Sequence, residues 1–304
     1  MRALILGASG QVGQALIREC ESRGWEWTGS HLDHPQGAEA RTFRLDLSDL
    51  DGVRAAVEGS RADVVFLPSG WTWVDGCETD ENRAVRVNAL APEAAARACA
   101  GNSARLVYYS TDYVFGEQGG PHTEDDRPEP LGAYGRSKLE GERRVTQVLP
   151  QALILRTTVV YGPEPQGKNF IYQLARALTS GKGMTLPEDQ LSTATYNRDL
   201  ARASVELVEA GESGLWNVSG PENIGRADFG RLAAEVFGLD AGLIRGETTA
   251  KLAQKARRPL TGGLEGTKLR VRLGWEMASP RRGLERMRSE LDAAGRWEAF
   301  LGRQ

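Results

Sequence analysis

Short apolar runs alternate with amphipathic stretches through the first half of this chain. Arg2 to Leu6 reads as a buried strand, and Ala15, Leu16, Ile17 and Cys20 then follow helical spacing. Further strands are predicted at Trp25–Ser30, Thr42–Leu45, Ala62–Leu67, Leu106–Tyr109 and Ala152–Leu155. Between them lie helical segments: one capped at Ser48 or Asp49, one over Arg83–Cys99 with Asn88 in a V-N-A setting, and one carrying Tyr134. Regular strand–helix alternation makes a parallel sheet with helices on both faces, so the expected class is α/β, doubly wound and Rossmann-like. Beyond Gly162 the pattern is less regular: helices at Phe170–Leu178, Asp199–Glu209 and Asp228–Phe237, a strand at Gly214–Val218, and a last helix at Pro280–Leu291. The expected division is a dinucleotide-binding domain over 1–162, with a returning segment near 192–220, and a smaller mixed α/β substrate domain over 163–304. No repeat or low-complexity linker interrupts it.

Chemistry is expected where the strands end, because ligands of doubly wound sheets sit at the carboxyl ends of the strands. The first strand runs into GASGQVG, and Gly7, Gly10, Gln11, Val12 and Gly13 form a glycine turn opening onto a helix N-terminus that can face a pyrophosphate. The spacing is GxxGxxG, not GxGxxG; a glycine loop alone could be only a tight turn, and its place after the first strand favours nucleotide binding. At the end of the second strand stand Ser30 and His31, with Asp33 too late to meet the ribose hydroxyls. No carboxylate repels a 2′-phosphate there, which favours NADPH or use of both NADPH and NADH. Asp46, followed by Leu47, either accepts from the adenine amino group or caps the next helix. The fourth strand breaks at Pro68-Ser69-Gly70, where a backbone can approach a cofactor closely. Trp71, Thr72 and Trp73 come next on the expected cleft rim, the tryptophans either stacking on a base or sugar or packing in the core.

The fifth strand ends in Ser110-Thr111, a polar loop follows, and Tyr134 and Lys138 then fall four apart on one helix face. A phenol titrates near 10, and a neighbouring cation favours its ionised form. A Lys138-assisted Tyr134 suits general acid or base work on a carbonyl or alcohol, worth roughly 10²–10⁴-fold, with Thr111 placed to hydrogen-bond the same oxygen. Tyr–Lys pairs at this spacing are common by chance, so their position after a nucleotide-binding pattern carries the argument.

Composition narrows the alternatives. In 304 residues the formal net charge is -3, which gives no basic field for nucleic acid. Cys20, Cys77 and Cys99 lack metal-ligand spacing and suit buried thiols in a reducing compartment. With only three histidines, a histidine zinc site or Ser-His-Asp triad is disfavoured, and no metal site is expected. No apolar run reaches the roughly 18 residues of a membrane span, and the chain enters its first strand without a charged leader, so a cytoplasmic protein is expected.

These residues together resemble the extended short-chain dehydrogenase/reductase superfamily, and more closely the dTDP-4-dehydrorhamnose reductase family. The resemblance covers nearly the whole chain. It rests on GASGQVG (7–13), WTWVDGCETDENRAVRVNALAP (71–92), STDYVF (110–115), YGRSKLEGE (134–142), LRTTVVYG (155–162) and RPLTGGLEGTKL (258–269). It implies hydride delivery from a reduced nicotinamide to the C4 ketone of a nucleotide-linked 4-keto-6-deoxy sugar. Tyr134 would be the acid, Lys138 would lower its pKa and grip the ribose, and Thr111 would polarise the carbonyl. Trp71, Thr72, Asp112, Val159 and Arg258 are the expected substrate residues, and Arg257 or Arg258 could meet a diphosphate. Dimers are common among relatives, which makes a homodimer an expectation. Two departures stand out: Leu67-Pro68-Ser69-Gly70 replaces the usual asparagine and alanines, and Val159 replaces a tryptophan that lies against the sugar. The rival readings are an epimerase or dehydratase holding NAD tightly, and a non-catalytic subunit like the regulatory β subunit of methionine adenosyltransferase. Tyr113 beside Asp112, where dehydratases tend to have an acidic pair, disfavours dehydration.

Overall fold

The computed structural model describes residues 1–35 and 41–302. Its centre is a parallel sheet formed by β1 (Arg2–Leu6), β2 (Glu26–His31), β3 (Thr42–Arg44), β4 (Val64–Leu67), β5 (Arg105–Thr111), β6 (Leu153–Thr157) and β7 (Gly214–Asn217). The strands lie in the order β7-β6-β5-β4-β1-β2-β3, seven among the described residues. The chain winds outward from β1 to β3, then returns past β1 to lay down β4 to β7. The order reverses between β1 and β4, and this opens a crevice at their carboxyl ends.

Alternation along each strand builds two cores. Ala3, Ile5, Val64, Phe66, Val107 and Tyr109 face the helices Gln11–Ser22 and Asn197–Glu209 through Leu16, Cys20, Leu200 and Val205. Leu4, Leu6, Val65, Leu67, Leu106 and Tyr108 face the opposite layer, meeting Val53, Val57, Cys99 and Val145. Each fully buried aliphatic side chain contributes roughly 1.5–3 kcal/mol, so a one-residue slip in register would exchange the faces of a whole strand. All three cysteines are free and buried.

The segment Arg83–Cys99 is not one continuous α-helix. Glu81–Val85 is α-helical, Arg86–Leu90 is a π-turn, and Ala91–Asn102 is α-helical again. Pro92, in the first turn of the last piece, has no N–H to offer the carbonyl of Asn88 four residues back. Tyr108 from β5 fills that vacancy, its hydroxyl donating to the Asn88 carbonyl at 2.8 Å. The bulge turns the Asn88 side chain inward, where its Oδ1 accepts from the Trp71 N–H at 2.8 Å and its Nδ2 donates to Ser137 Oγ at 3.0 Å. One residue thereby links the loop after β4 to the helix that carries Tyr134.

The second lobe packs the helices Phe170–Thr179, Arg226–Phe237 and Pro280–Ala293 around Tyr161, Tyr196, Phe229 and Leu284. A parallel strand pair, Met184–Pro187 with Ile244–Glu247, flanks this core. Two bonds join the lobe to the glycine loop: Gln11 Nε2 donates to the Val160 carbonyl at 3.1 Å, and Gln166 Nε2 to the Ser9 carbonyl at 2.8 Å. Among the described residues no helix is long and apolar enough to cross a membrane.

Candidate active site

The crevice begins at a turn that only glycine can make. Gly7 has φ +110, and a Cβ there would stand 1.8 Å from Ser69 Oγ. A Cβ on Gly13 would lie 2.1 Å from the Gly7 carbonyl oxygen. The loop is thus pressed against the end of β4 on one side and the following helix on the other. That helix starts at Gln11 with no side-chain cap and no acid in its first turn, which leaves its N-terminal donors and dipole to an anion. These features fit the diphosphate of a dinucleotide.

A cleft of about 700 Å³ runs from this loop to the second lobe. Gly7, Gly10, Gln11, Val12, Gly13, Pro68, Ser69 and Gly70 line one end. Ser30, His31, Asp46 and Leu47 line an adjoining cavity of about 260 Å³ that shares Gly7, Gly10, Ser69 and Gly70 with the cleft. Ser30 is oriented by the Gly7 N–H, which donates to its Oγ at 3.1 Å. One Asp46 oxygen accepts the Ser48 N–H at 2.8 Å, and that bond holds its carboxyl below the ordinary range. Trp71 also faces the smaller cavity, beneath the Arg83 guanidinium at 4.8 Å, while Trp73 is 66% exposed.

Thr111, Tyr134 and Lys138 all line this cleft. Thr111 ends β5. The helix Ala133–Val148 is fixed at its start by Glu78, which accepts the Ala133 N–H at 2.6 Å, and it presents Tyr134 and Lys138 one turn apart. Burial pushes the Tyr134 phenol up, while the neighbouring Thr111 hydroxyl pulls the other way. Burial thus sets the direction of the shift. Burial also brings Lys138 down to about 7, opposed in part by Glu142. The Lys138 ammonium donates to the Tyr109 carbonyl and sits 4.3 Å from the centroid of the Tyr108 ring.

Glu142, one further turn along, is not free to neutralise the lysine fully. It takes a two-pronged bond from Arg156 at 2.9 and 2.7 Å and another from Ser110 Oγ, all out of water. Thr72, Asp112 and Val159 also line the cleft. Burial raises the Asp112 carboxyl, and the Gly263 N–H at 3.4 Å is among its donors. Val159 has φ +41, an uncommon backbone for a β-branched residue. Arg258 lies behind this wall, its Nη2 paired with Asp75 at 3.0 Å and its Nη1 donating to the Ala256 carbonyl at 3.0 Å. Gln166, Asn169 and Arg226 are among the cleft residues that gave little sign of themselves in the sequence. Arg226 precedes the predicted start of its helix at Asp228, so its helical position was hidden.

A dinucleotide cradle continuous with a buried Thr-Tyr-Lys cluster defines a short-chain dehydrogenase/reductase, an NAD(P)-dependent oxidoreductase. The chain belongs to the family described as the RmlD substrate binding domain, whose profile matches residues 1–293, and through it to the extended branch of that superfamily. It is similar to the probable low-salt glycan biosynthesis reductase Agl14 of Haloferax volcanii, 34% identical over 278 residues, 90% of this chain and 93% of that protein. It is 33% identical to the dTDP-4-dehydrorhamnose reductase of Mycolicibacterium smegmatis over 261 residues, 85% of this chain and 76% of the relative. The dTDP-4-dehydrorhamnose reductase of Bacillus anthracis, solved in complex with NADP, superposes with a TM-score of 0.85 at 26% identity, covering 95% of this chain and 99% of that one.

Proposed function

We propose that this protein reduces the keto group of a nucleotide-activated 4-keto-6-deoxy sugar, with NADPH or NADH as reductant. The observation that carries the reading is the convergence of Thr111, Tyr134 and Lys138 in a cleft continuous with the glycine loop. Names borne by relatives support the substrate class: dTDP-4-dehydrorhamnose reductase and dTDP-4-keto-6-deoxy-D-glucose reductase. The bound reduced nicotinamide supplies the hydride. Gly7, Gly10, Gln11, Val12 and Gly13 hold its diphosphate, while Ser30, His31, Asp46 and Leu47 border the adenosine end. Without a carboxylate at the end of β2 to repel a 2′-phosphate, NADPH is favoured.

Tyr134 donates its phenolic proton to the carbonyl oxygen of the sugar as that oxygen gains charge. Its raised pKa keeps it protonated at neutral pH, so the acid is loaded before substrate arrives. Thr111 hydrogen-bonds the same oxygen and orients it. Charged Lys138 stabilises the phenolate left on Tyr134 and meets the ribose hydroxyls. Thr72, Asp112 and Val159 form the sugar wall, with Trp71 and Arg258 behind its rim. A valine in place of an aromatic platform removes a stacking surface worth about 0.5–1.5 kcal/mol, which shifts sugar preference more readily than it abolishes binding.

The test follows loss of reduced-nicotinamide absorbance on dTDP-4-keto-6-deoxy sugars, with NADPH and NADH separately. Tyr134→Phe should retain dinucleotide binding and lose roughly 10²–10⁴-fold in turnover. Undiminished turnover by that variant would overturn the mechanism.

A further inference from the structure

The second-lobe end of the cleft holds a cation that the chain itself does not neutralise. Arg226 opens the helix Arg226–Phe237, its backbone N–H donating to the Gln190 carbonyl at 2.9 Å. Its guanidinium lies over the Phe170 ring, 4.5 Å from the centroid. Nη1 is buried with no hydrogen-bond partner, and among the described residues the guanidinium forms no ion pair. The other arginines near the site are engaged: Arg156 is gripped by Glu142, and Arg258 by Asp75 and the Ala256 carbonyl. Asp112 and Tyr113 are the acidic groups within electrostatic reach of Arg226, with Arg258 as the nearby cation. Neither forms an ion pair with the guanidinium among the described residues, and burial raises the pKa of both.

A guanidinium nitrogen buried without a partner is costly, and a ligand anion would remove that cost. Its planar fork matches two-pronged binding of a carboxylate or phosphoryl group, and the Phe170 ring beneath limits its orientation. The dinucleotide phosphates already have donors in the glycine loop at Gly7 to Gly13 and the helix start at Gln11, to which Arg226 does not belong. Arg226 instead shares its wall with Val159 and Phe170, near Tyr113, whose ring packs edge-on against Tyr134 at 5.6 Å. We infer that Arg226 is the oxyanion-binding residue of the substrate half of the cleft, taking either a phosphoryl oxygen of the substrate's diphosphate or a carboxylate carried on its sugar. This rests on the nucleotide-sugar reading above.

Calorimetric titration of the NADP⁺-loaded protein separates the sources. One arm uses dTDP, and the other compares a nucleoside-diphosphate hexuronate with the matching uncharged hexose. If the diphosphate is the ligand, Arg226→Met weakens dTDP binding by about 10- to 100-fold and Arg226→Lys by less, as expected for loss of a charged two-pronged bond. If a sugar carboxylate is the ligand, dTDP binding is unchanged and only the preference for the hexuronate is lost. Both variants should bind NADP⁺ as the wild type does, which serves as the check on folding. Wild-type affinity of Arg226→Met in both arms would overturn the inference and leave the nucleotide-sugar reading standing. A wild-type protein that binds none of these nucleotides would overturn both.

Discussion

Replacing Lys138 by methionine should abolish catalysis and yet stabilise the ligand-free protein. The side chain is buried, and its pKa is depressed from 10.5 to about 7. A shift of that size corresponds to about 5 kcal/mol against keeping the charged form in the folded state, an upper limit for the gain on its removal. Two interactions offset it. The ammonium donates to the Tyr109 carbonyl, a charged bond worth roughly 1.5–3 kcal/mol, and it lies over the Tyr108 ring, worth up to about 2 kcal/mol. Methionine keeps the apolar stem but leaves that carbonyl without this donor. Glu142 retains Arg156 and Ser110, so the substitution strands no carboxylate. The balance is a gain of about 1–3 kcal/mol below neutrality.

The pH dependence carries the sign. The unfolded chain holds the lysine proton up to about pH 10.5, while the folded chain releases it near pH 7. Stability of the wild type therefore rises with pH across that interval, and the penalty is fully present only below it. Urea denaturation of both proteins without dinucleotide, at pH 6.5 and pH 9.5, measures the difference directly. Lys138→Met should be the more stable at pH 6.5, with the gap closing by pH 9.5. A variant less stable at pH 6.5, or a gap that widens with pH, would refute the view that Lys138 is a buried charge held at the expense of the fold.

In a pH–rate profile, kcat/KM reports ionisations of the free enzyme, so it should fall as pH rises through about 7, where Lys138 loses its charge. Because Glu142 raises the lysine pKa, Glu142→Gln should move that fall to lower pH, and an unmoved inflection would exclude Lys138 as its origin. Gly7→Ala places a Cβ 1.8 Å from Ser69 Oγ at φ +110, so it should cost at least about 1–2 kcal/mol and weaken NADPH binding in a fluorescence titration. Wild-type affinity would mean that the loop and Ser69 can move apart without disturbing the cradle.

What the sequence made legible was local. The apolar run Ala3–Leu6 stands between an arginine and a glycine, and the strand occupies Arg2–Leu6. Arg105–Thr111 runs two residues past its predicted end because Ser110 and Thr111, though polar, still pair with Arg156 and Thr157 of β6. The lysine one helical turn after Tyr134 was readable from spacing alone, but the ionisation of both groups was not, since it depends on burial created by other elements. The π-turn at Arg86–Leu90 was hidden for a similar reason: Pro92 is compatible with a helix start, and its effect appears only when Tyr108 supplies the missing donor. Arg258 stood out in its motif, while its partner Asp75 lies 183 residues away.

The buried charges sort into two kinds, and the distinction separates scaffold from binding surface. Glu142 takes a two-pronged bond from Arg156, whose Nη1 alone lacks a partner, and Ser110 ties the pair to the end of β5. Removing either partner would strand a buried charge, typically at 3–5 kcal/mol, so the pair acts as a fixed brace beneath the cleft. Lys138 and Arg226 are different. One rests on a carbonyl and an aromatic face, the other on an aromatic face alone, and both border the cleft. Each is a charge whose stabilisation is incomplete until something enters. A fold that braces one ion pair internally and leaves two cations open along the same cleft reserves its electrostatic gain for the ligand-bound state, where interactions gained at the reacting oxygen can favour the chemical step.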